Sequence, residues 1–226
     1  MKRSQINQAI REMEELADRF HFALPPFCHV SPATWPVLGH DWDEVRDCRL
    51  GWDITDYGQG DFHALGFSLI TLRNGKAGDP KYARTYAEKL LMLREGQYAP
   101  MHYHRAKTED IINRGGGNLL LRLIQTDEDG HETSEPVRVA CDGVHRILPS
   151  GASLRLTPGE SVTLTPGLSH DFRVEPGTGA VLIGEVSSVN DDETDNFFRE
   201  AVGRFPTIEE DEPAWRLLCS EYPPPP

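Results

Sequence analysis

Hydrophobic positions recur at two different periods along this chain, and the change between them marks out its architecture. Ile6, Ile10, Met13, Leu16, Ala17 and Phe20 lie three and four residues apart, the stripe of an amphipathic helix over residues 4–20. Ser4 stands where an N-cap belongs, although Asn7 does not complete a capping box with it. Such a stripe needs an apolar partner, either the outside of a β-barrel or a subunit contact. Residues 21–50 break the pattern with Pro25, Pro26, Pro32 and Pro36. They predict an ordered but irregular segment, with a short helix at 31–35 that Ser31 caps and Pro32 opens.

From about residue 50 to residue 186 the pattern is that of strands. Apolar, β-prone runs lie at 62–72, 86–93, 118–125, 137–141, 153–156, 161–164 and 180–187. Asn74-Gly75 signals a tight turn after the first run, and Asp127-Glu-Asp-Gly130 a polar one. Many short strands between Gly- and Pro-rich turns predict an all-β sandwich or barrel. Beyond Asp191 the chain turns acidic and loop-rich. Residues 197–202 suit a helical turn or two, and Pro223–Pro226 a loose end. With no repeat and no linker, 1–226 reads as a single domain. It has an N-terminal helix and irregular segment (1–50), a core (51–190) and an acidic C-terminal extension (191–226).

Composition narrows the function. The chain has 226 residues, 38% hydrophobic and 26% charged, and a formal net charge of −13. That charge argues against nucleic acid and anionic membranes as partners. It also makes a phosphorylated substrate less natural. Cys28, Cys48, Cys141 and Cys219 form no CxxC pair, and they read as reduced thiols of a cytoplasmic protein. No apolar run approaches the roughly 18 residues of a membrane span. The basic start Met-Lys-Arg-Ser-Gln is not followed by the apolar stretch of a signal peptide.

The candidate chemistry lies at Gly96-Gln-Tyr-Ala-Pro-Met-His102-Tyr-His104-Arg-Ala-Lys-Thr-Glu109. On a strand, His102 and His104 point to the same face. A turn or bulge after His104 can return Glu109 to the same point, and the lone His170 after Thr165-Pro-Gly-Leu-Ser is the natural fourth ligand. Three imidazoles and a carboxylate suit Mn, Fe, Zn, Co or Ni rather than a structural thiolate zinc. Four protein ligands on an octahedral metal leave two open positions, which neighbouring oxygens of a hydroxy-aldehyde or hydroxy-ketone can fill.

The first stretch fits G-x5-H-x-H-x4-E-x6-G, with Gly96, His102, His104, Glu109 and Gly116 in register. It resembles the first motif of the cupin superfamily. Gly159, Gly167 and His170 match the second motif, with Pro166 displaced by one position and Val174 in place of an Asn. A cupin jelly-roll β-barrel with peripheral helices is the fold this resemblance implies. Three longer runs resemble the D-lyxose isomerase family more closely: 102–118, Gly184-Glu-Val-Ser-Ser-Val-Asn-Asp-Asp192-Glu-Thr-Asp-Asn196-Phe, and Pro25-Pro-Phe with Ser31-Pro-x-x-Trp35. That resemblance covers roughly residues 5–205. It implies a Mn-dependent aldose–ketose isomerase that interconverts D-lyxose with D-xylulose, and often D-mannose with D-fructose. By it, His102, His104, Glu109 and His170 carry the metal.

Moving a hydrogen between C1 and C2 calls for Lewis-acid stabilisation of oxygen charge and, in the proton-transfer route, for a carboxylate base. Glu185, flanked by apolar residues on a late strand, is the favoured base; the alternative is a carboxylate that points outward. Asp191 and Asp192 are further candidates, for the base or for sugar hydroxyls, if they are not simply solvated. The family resemblance offers Lys89 as an electrophile or substrate ligand. His29 suits the pocket mouth and Trp35 the core. Lys107 is expected to face solvent from its turn. His21, His40, His63, His131 and His145 show no ligand spacing. Two other enzyme classes stay open: a sugar-phosphate isomerase, for which Arg84, Arg94 and Arg105 could supply a phosphate cradle, and an oxygen-activating cupin dioxygenase. A non-catalytic sugar-binding module would lack metal-dependent turnover. The amphipathic helix and the barrel's exposed sheets favour a homodimer, although a helix that closes its own barrel would satisfy the same stripe.

Overall fold

The three-and-four spacing becomes α1 (Arg3–Arg19). In the computed structural model, which describes residues 1–191, 194–203 and 206–226, the helix starts differently from the expected cap. Lys2, not Ser4, precedes the first helical residue. The Asp211 carboxylate accepts from the Ser4 backbone N–H (2.9 Å) and hydroxyl (2.7 Å). A distant carboxylate thus satisfies the helix N-terminus, where the dipole favours negative charge.

The proline-rich segment is a series of 3₁₀ turns at Pro26–His29, Trp35–Val37 and His40–Trp42, followed by the short helix α2 (Asp43–Asp47). The helix expected over 31–35 is instead a turn in which the Thr34 N–H bonds the Ser31 carbonyl. Pro36 has no N–H with which to close an α-turn onto Pro32.

Thirteen strands follow among the described residues. They are β1 (Gly51–Thr55), β2 (Phe67–Arg73), β3 (Tyr86–Leu93), β4 (Tyr98–Tyr103), β5 (Glu109–Gly116), β6 (Leu119–Gln125) and β7 (Val137–Cys141), then β8 (Val144–Leu148), β9 (Ser153–Leu156), β10 (Ser161–Leu164), β11 (Leu168–Val174), β12 (Val181–Ser188) and β13 (Phe197–Phe198). Two antiparallel sheets result, ordered β1-β2-β3-β12-β5-β10-β7-β8 and β13-β4-β11-β6-β9. This is a jelly-roll arrangement. Two local expectations fail. Asn74-Gly75 makes no tight turn: residues 74–85 join the antiparallel pair β2 and β3, and the Asn74 side chain binds the Asn190 N–H and carbonyl, across 116 residues of sequence. Residues 197–198 are strand rather than helix, since Phe197 stacks on its cross-strand partner Tyr103 at 5.1 Å. Tertiary pairing overrides a weak local signal there.

Strand alternation builds two cores. On β2, β3 and β12, Phe67, Leu69, Leu91, Leu93, Val181 and Ile183 face the other sheet. Ile70, Leu72, Leu90, Met92 and Leu182 face the opposite way, onto Ile6, Ile10, Met13 and Leu16 of α1. The helix stripe is therefore used within its own chain, and the argument for a homodimer that rested on it falls away. Met13 is fully buried in this layer. Met13→Ala is expected to lower the unfolding free energy by about 2–5 kcal/mol, read by urea denaturation. A loss under about 1 kcal/mol would mean the layer is not packed as described.

The acidic extension is tied to the rest of the chain as far as Tyr222. Arg3 forms ion pairs with Glu210 and Glu221, Asn7 donates to the Pro213 carbonyl at 2.9 Å, and Leu218 bridges Trp52 in parallel. Tyr222 stacks on buried Trp35 at 3.8 Å and donates to the Leu50 carbonyl. Its hydroxyl occupies the space a Cβ would need at Gly51, which also has φ +115°. No described helix is long and apolar enough to cross a membrane.

Candidate metal centre

The inner faces of the sheets change character along their strands. Leu91 and Leu93 on β3, and Ile183 on β12, belong to the apolar core. Two places along, the same faces carry Lys89 and Glu185, which are direct cross-strand partners. Glu185 is also paired with Ile111 of β5, so Glu109, two residues from Ile111, lies on the same face. The opposing sheet supplies the imidazoles. His102 on β4 is the cross-strand partner of His170 on β11, and His104 follows two residues on. His102, His104 and His170 each offer a ring nitrogen within 4.8 Å of the others. Glu109 Oε1 approaches His170 Nε2 at 3.1 Å and His104 Nε2 at 3.6 Å. The structure thus brings together all four residues that the sequence marks as ligands.

Each imidazole is fixed from behind. The Nδ1 atoms of His102, His104 and His170 lie 2.8, 2.5 and 2.9 Å from the carbonyls of Pro100, Asp195 and Leu168. A carbonyl can only accept, so Nδ1 carries the proton and Nε2 presents a lone pair to the centre. His104 Nε2, His170 Nε2 and Glu109 Oε1 are buried without a hydrogen-bond partner among the described residues. Acceptors face acceptors across the gap, an arrangement that is costly unless a cation lies between them. The donor set therefore fits a divalent metal. Burial, with the neighbouring His170 and His104, holds the His102 imidazole well below its ordinary pKa, which keeps it neutral, as a ligand must be. Burial alone would raise the Glu109 carboxyl. The Lys107 ammonium at its side overrides that and holds it well below the usual carboxylate range.

Beside the ligands is a buried charge network. Lys107 Nζ lies 2.6 Å from Glu109 Oε2 and 3.0 Å from Glu185 Oε1. Lys89 Nζ donates to Asn190 Oδ1 at 2.6 Å and lies 3.7 Å from Glu185 Oε1. Two ammonium groups and two carboxylates so offset one another's burial. A cavity of about 50 Å3 touches Glu185, Lys89, Lys107, His102, His104 and Glu109. Asn196 and Phe198, which line it, also line a cleft of about 650 Å3.

Several expectations are corrected. Lys107 is not in solvent: it is 5% exposed and sits at the centre of the network. Its signal was present, because a residue two before an inward-facing Glu109 shares that face when the chain is extended. Asp191 is exposed, in a turn where its carboxylate accepts from the Thr194 N–H and hydroxyl, and it is not brought to the cavity. His29 is half exposed on the outside of the molecule, with Nδ1 3.7 Å from Glu14 of α1, because its 3₁₀ turn packs beside the helix. Asp192 lies outside the described residues. Asn190, Asp195, Asn196 and Phe198 were not singled out by any local signal.

A family model described as D-lyxose isomerase matches residues 1–222. The D-lyxose/D-mannose isomerase of Serratia proteamaculans is 49% identical over 98% of each chain. That of Escherichia coli O157:H7 is 47% identical over the same shares. Among solved structures, the L-ribose isomerase of Geodermatophilus obscurus superposes with a TM-score of 0.61 at 19% identity, covering 92% of this chain and 98% of that one. The Cellulomonas parahominis enzyme with L-ribose gives 0.58 at 18% over the same shares. At that identity the structures share the fold.

Proposed function

Because this chain belongs to the D-lyxose isomerase family, and is thereby a sugar aldose–ketose isomerase, we propose that it interconverts D-lyxose with D-xylulose and D-mannose with D-fructose. The observation that carries the metal-dependent reading is the unpartnered acceptor cluster, His104 Nε2, His170 Nε2 and Glu109 Oε1, beside a buried Lys–Glu network. His102, His104, Glu109 and His170 would hold the ion, with Mn2+ the first choice and Zn, Co, Fe or Ni alternatives for the same donors. When bound, the ion supplies Lewis-acid stabilisation of charge on the sugar oxygens.

The chain's own residues do the rest. Glu185, on the inner face next to the proposed ligands, takes the proton from one of C1 and C2 and returns it to the other, while the hydroxyl proton passes between O1 and O2 so that the sugar gains and loses none overall. Lys107, 3.0 Å from Glu185 Oε1, orients that carboxylate. Lys89 places a second cation where charge develops on oxygen. Glu185 and Lys89 sit on strands, which keeps them preorganised, whereas Lys107 stands in the turn between β4 and β5.

The test is turnover of D-lyxose by the purified protein before and after chelation, with Mn2+ added back. Activity should fall on chelation and return with the metal. Inactivity toward both lyxose and mannose with metal bound would turn attention to a sugar phosphate.

A further inference from the structure

We infer that Asp195 is a positioning residue that holds His104 and Lys107 in place from outside the cavity. This inference rests on the metal-dependent isomerase reading. His104, Lys107 and Glu109 are buried, whereas Arg105, Ala106 and Thr108 between them are exposed. Three functional side chains are thus hung on a short, solvent-facing turn. The Asp195 carboxylate accepts from the N–H groups of that turn: Arg105 at 2.8 Å and Ala106 at 3.1 Å through Oδ1, and Lys107 at 2.9 Å through Oδ2. The Asp195 carbonyl accepts from His104 Nδ1 at 2.5 Å.

One residue therefore acts on two groups. Its carbonyl selects the His104 tautomer that presents Nε2 to the centre. Its carboxylate fixes the backbone from which Lys107 reaches Glu109 and Glu185. Asp195 is not among the residues that line the cavity, and its carboxylate meets Lys107 only at the backbone N–H, so its effect on chemistry is indirect. Backbone N–H groups bound to a carboxylate are among the stronger hydrogen bonds, and three at one turn define its shape.

Asp195→Ala removes all three carboxylate contacts and leaves the carbonyl on an unanchored backbone. Amide exchange at 105–107 in the metal-free protein should quicken by about tenfold or more, with α1 unchanged. The Mn2+ dissociation constant should rise by about 10–100-fold. At saturating Mn2+, kcat should fall by about tenfold while KM stays within about threefold, the mark of lost alignment rather than lost binding. Lys107→Met should abolish part of this effect, so the double variant should fall short of the product of the two single losses. Should the alanine variant fail to fold, Asp195→Asn carries the same measurements: it keeps an acceptor for Arg105 and Ala106 but sets an NH2 against the Lys107 N–H. Unchanged exchange at 105–107, or metal affinity and kcat within about twofold of the parent, would overturn the inference, as would full multiplicativity with Lys107→Met. A parent protein with no metal binding and no turnover would overturn the isomerase reading instead, and amide exchange would still read the Asp195 clamp.

Discussion

Glu109→Gln is expected to lose divalent-metal binding and turnover together, while the far-ultraviolet circular dichroism stays that of the parent. The amide keeps the size of the carboxylate but removes the one negative ligand at the acceptor cluster. It also leaves the Lys107 ammonium with Glu185 as its remaining carboxylate contact among those described. Residues that only orient a metal ligand cost about 10–100-fold in affinity when changed, so loss of the ligand itself should exceed about a hundredfold. His170→Ala should behave likewise, since its Nε2 is one of the buried unpartnered atoms and lies 3.1 Å from Glu109 Oε1. Titration of Mn2+ alongside D-lyxose turnover decides the matter. A metal-loaded Glu109→Gln protein that still turned over would show that the wrong carboxylate had been chosen.

Glu185→Gln should give the opposite combination, metal retained and catalysis lost. Glu185 lies within reach of Lys107 and Lys89, but it is not one of the four converging ligands. A positioned base contributes about 10²–10⁴-fold, so kcat should drop by that order with KM little moved. Rates close to the parent's would remove Glu185 as the base.

The parts of this site that the sequence made legible are those fixed by local periodicity. HxH on one strand gives one face, and His170 needed only to lie on a neighbouring strand. Glu185 and Lys89 were legible for the same reason, as polar residues interrupting apolar strands. An acidic loop looks alike in sequence whether it faces a sugar or caps its own turn, as the Asp191 carboxylate does with Thr194. His29 had no spacing argument behind it. Asp195 and Asn190 act through contacts spanning about ninety to one hundred residues of sequence, which no local pattern encodes. The helix at α1 was legible from its stripe. What capped it was not, because Asp211 lies 207 residues away.

The four proposed ligands come from both sheets: His102 on β4 and His170 on β11, with His104 one residue past β4, face Glu109 on β5. An ion bound there would be a rivet as well as a Lewis acid, closing the polar end of a sandwich whose other end is closed by hydrocarbon. Folding free energy then acquires a component that depends on the logarithm of free metal, about 2.7 kcal/mol at a hundredfold excess over the dissociation constant. Heat resistance would in that case be a joint property of the polypeptide and its medium, and two preparations of identical chains could melt at different temperatures.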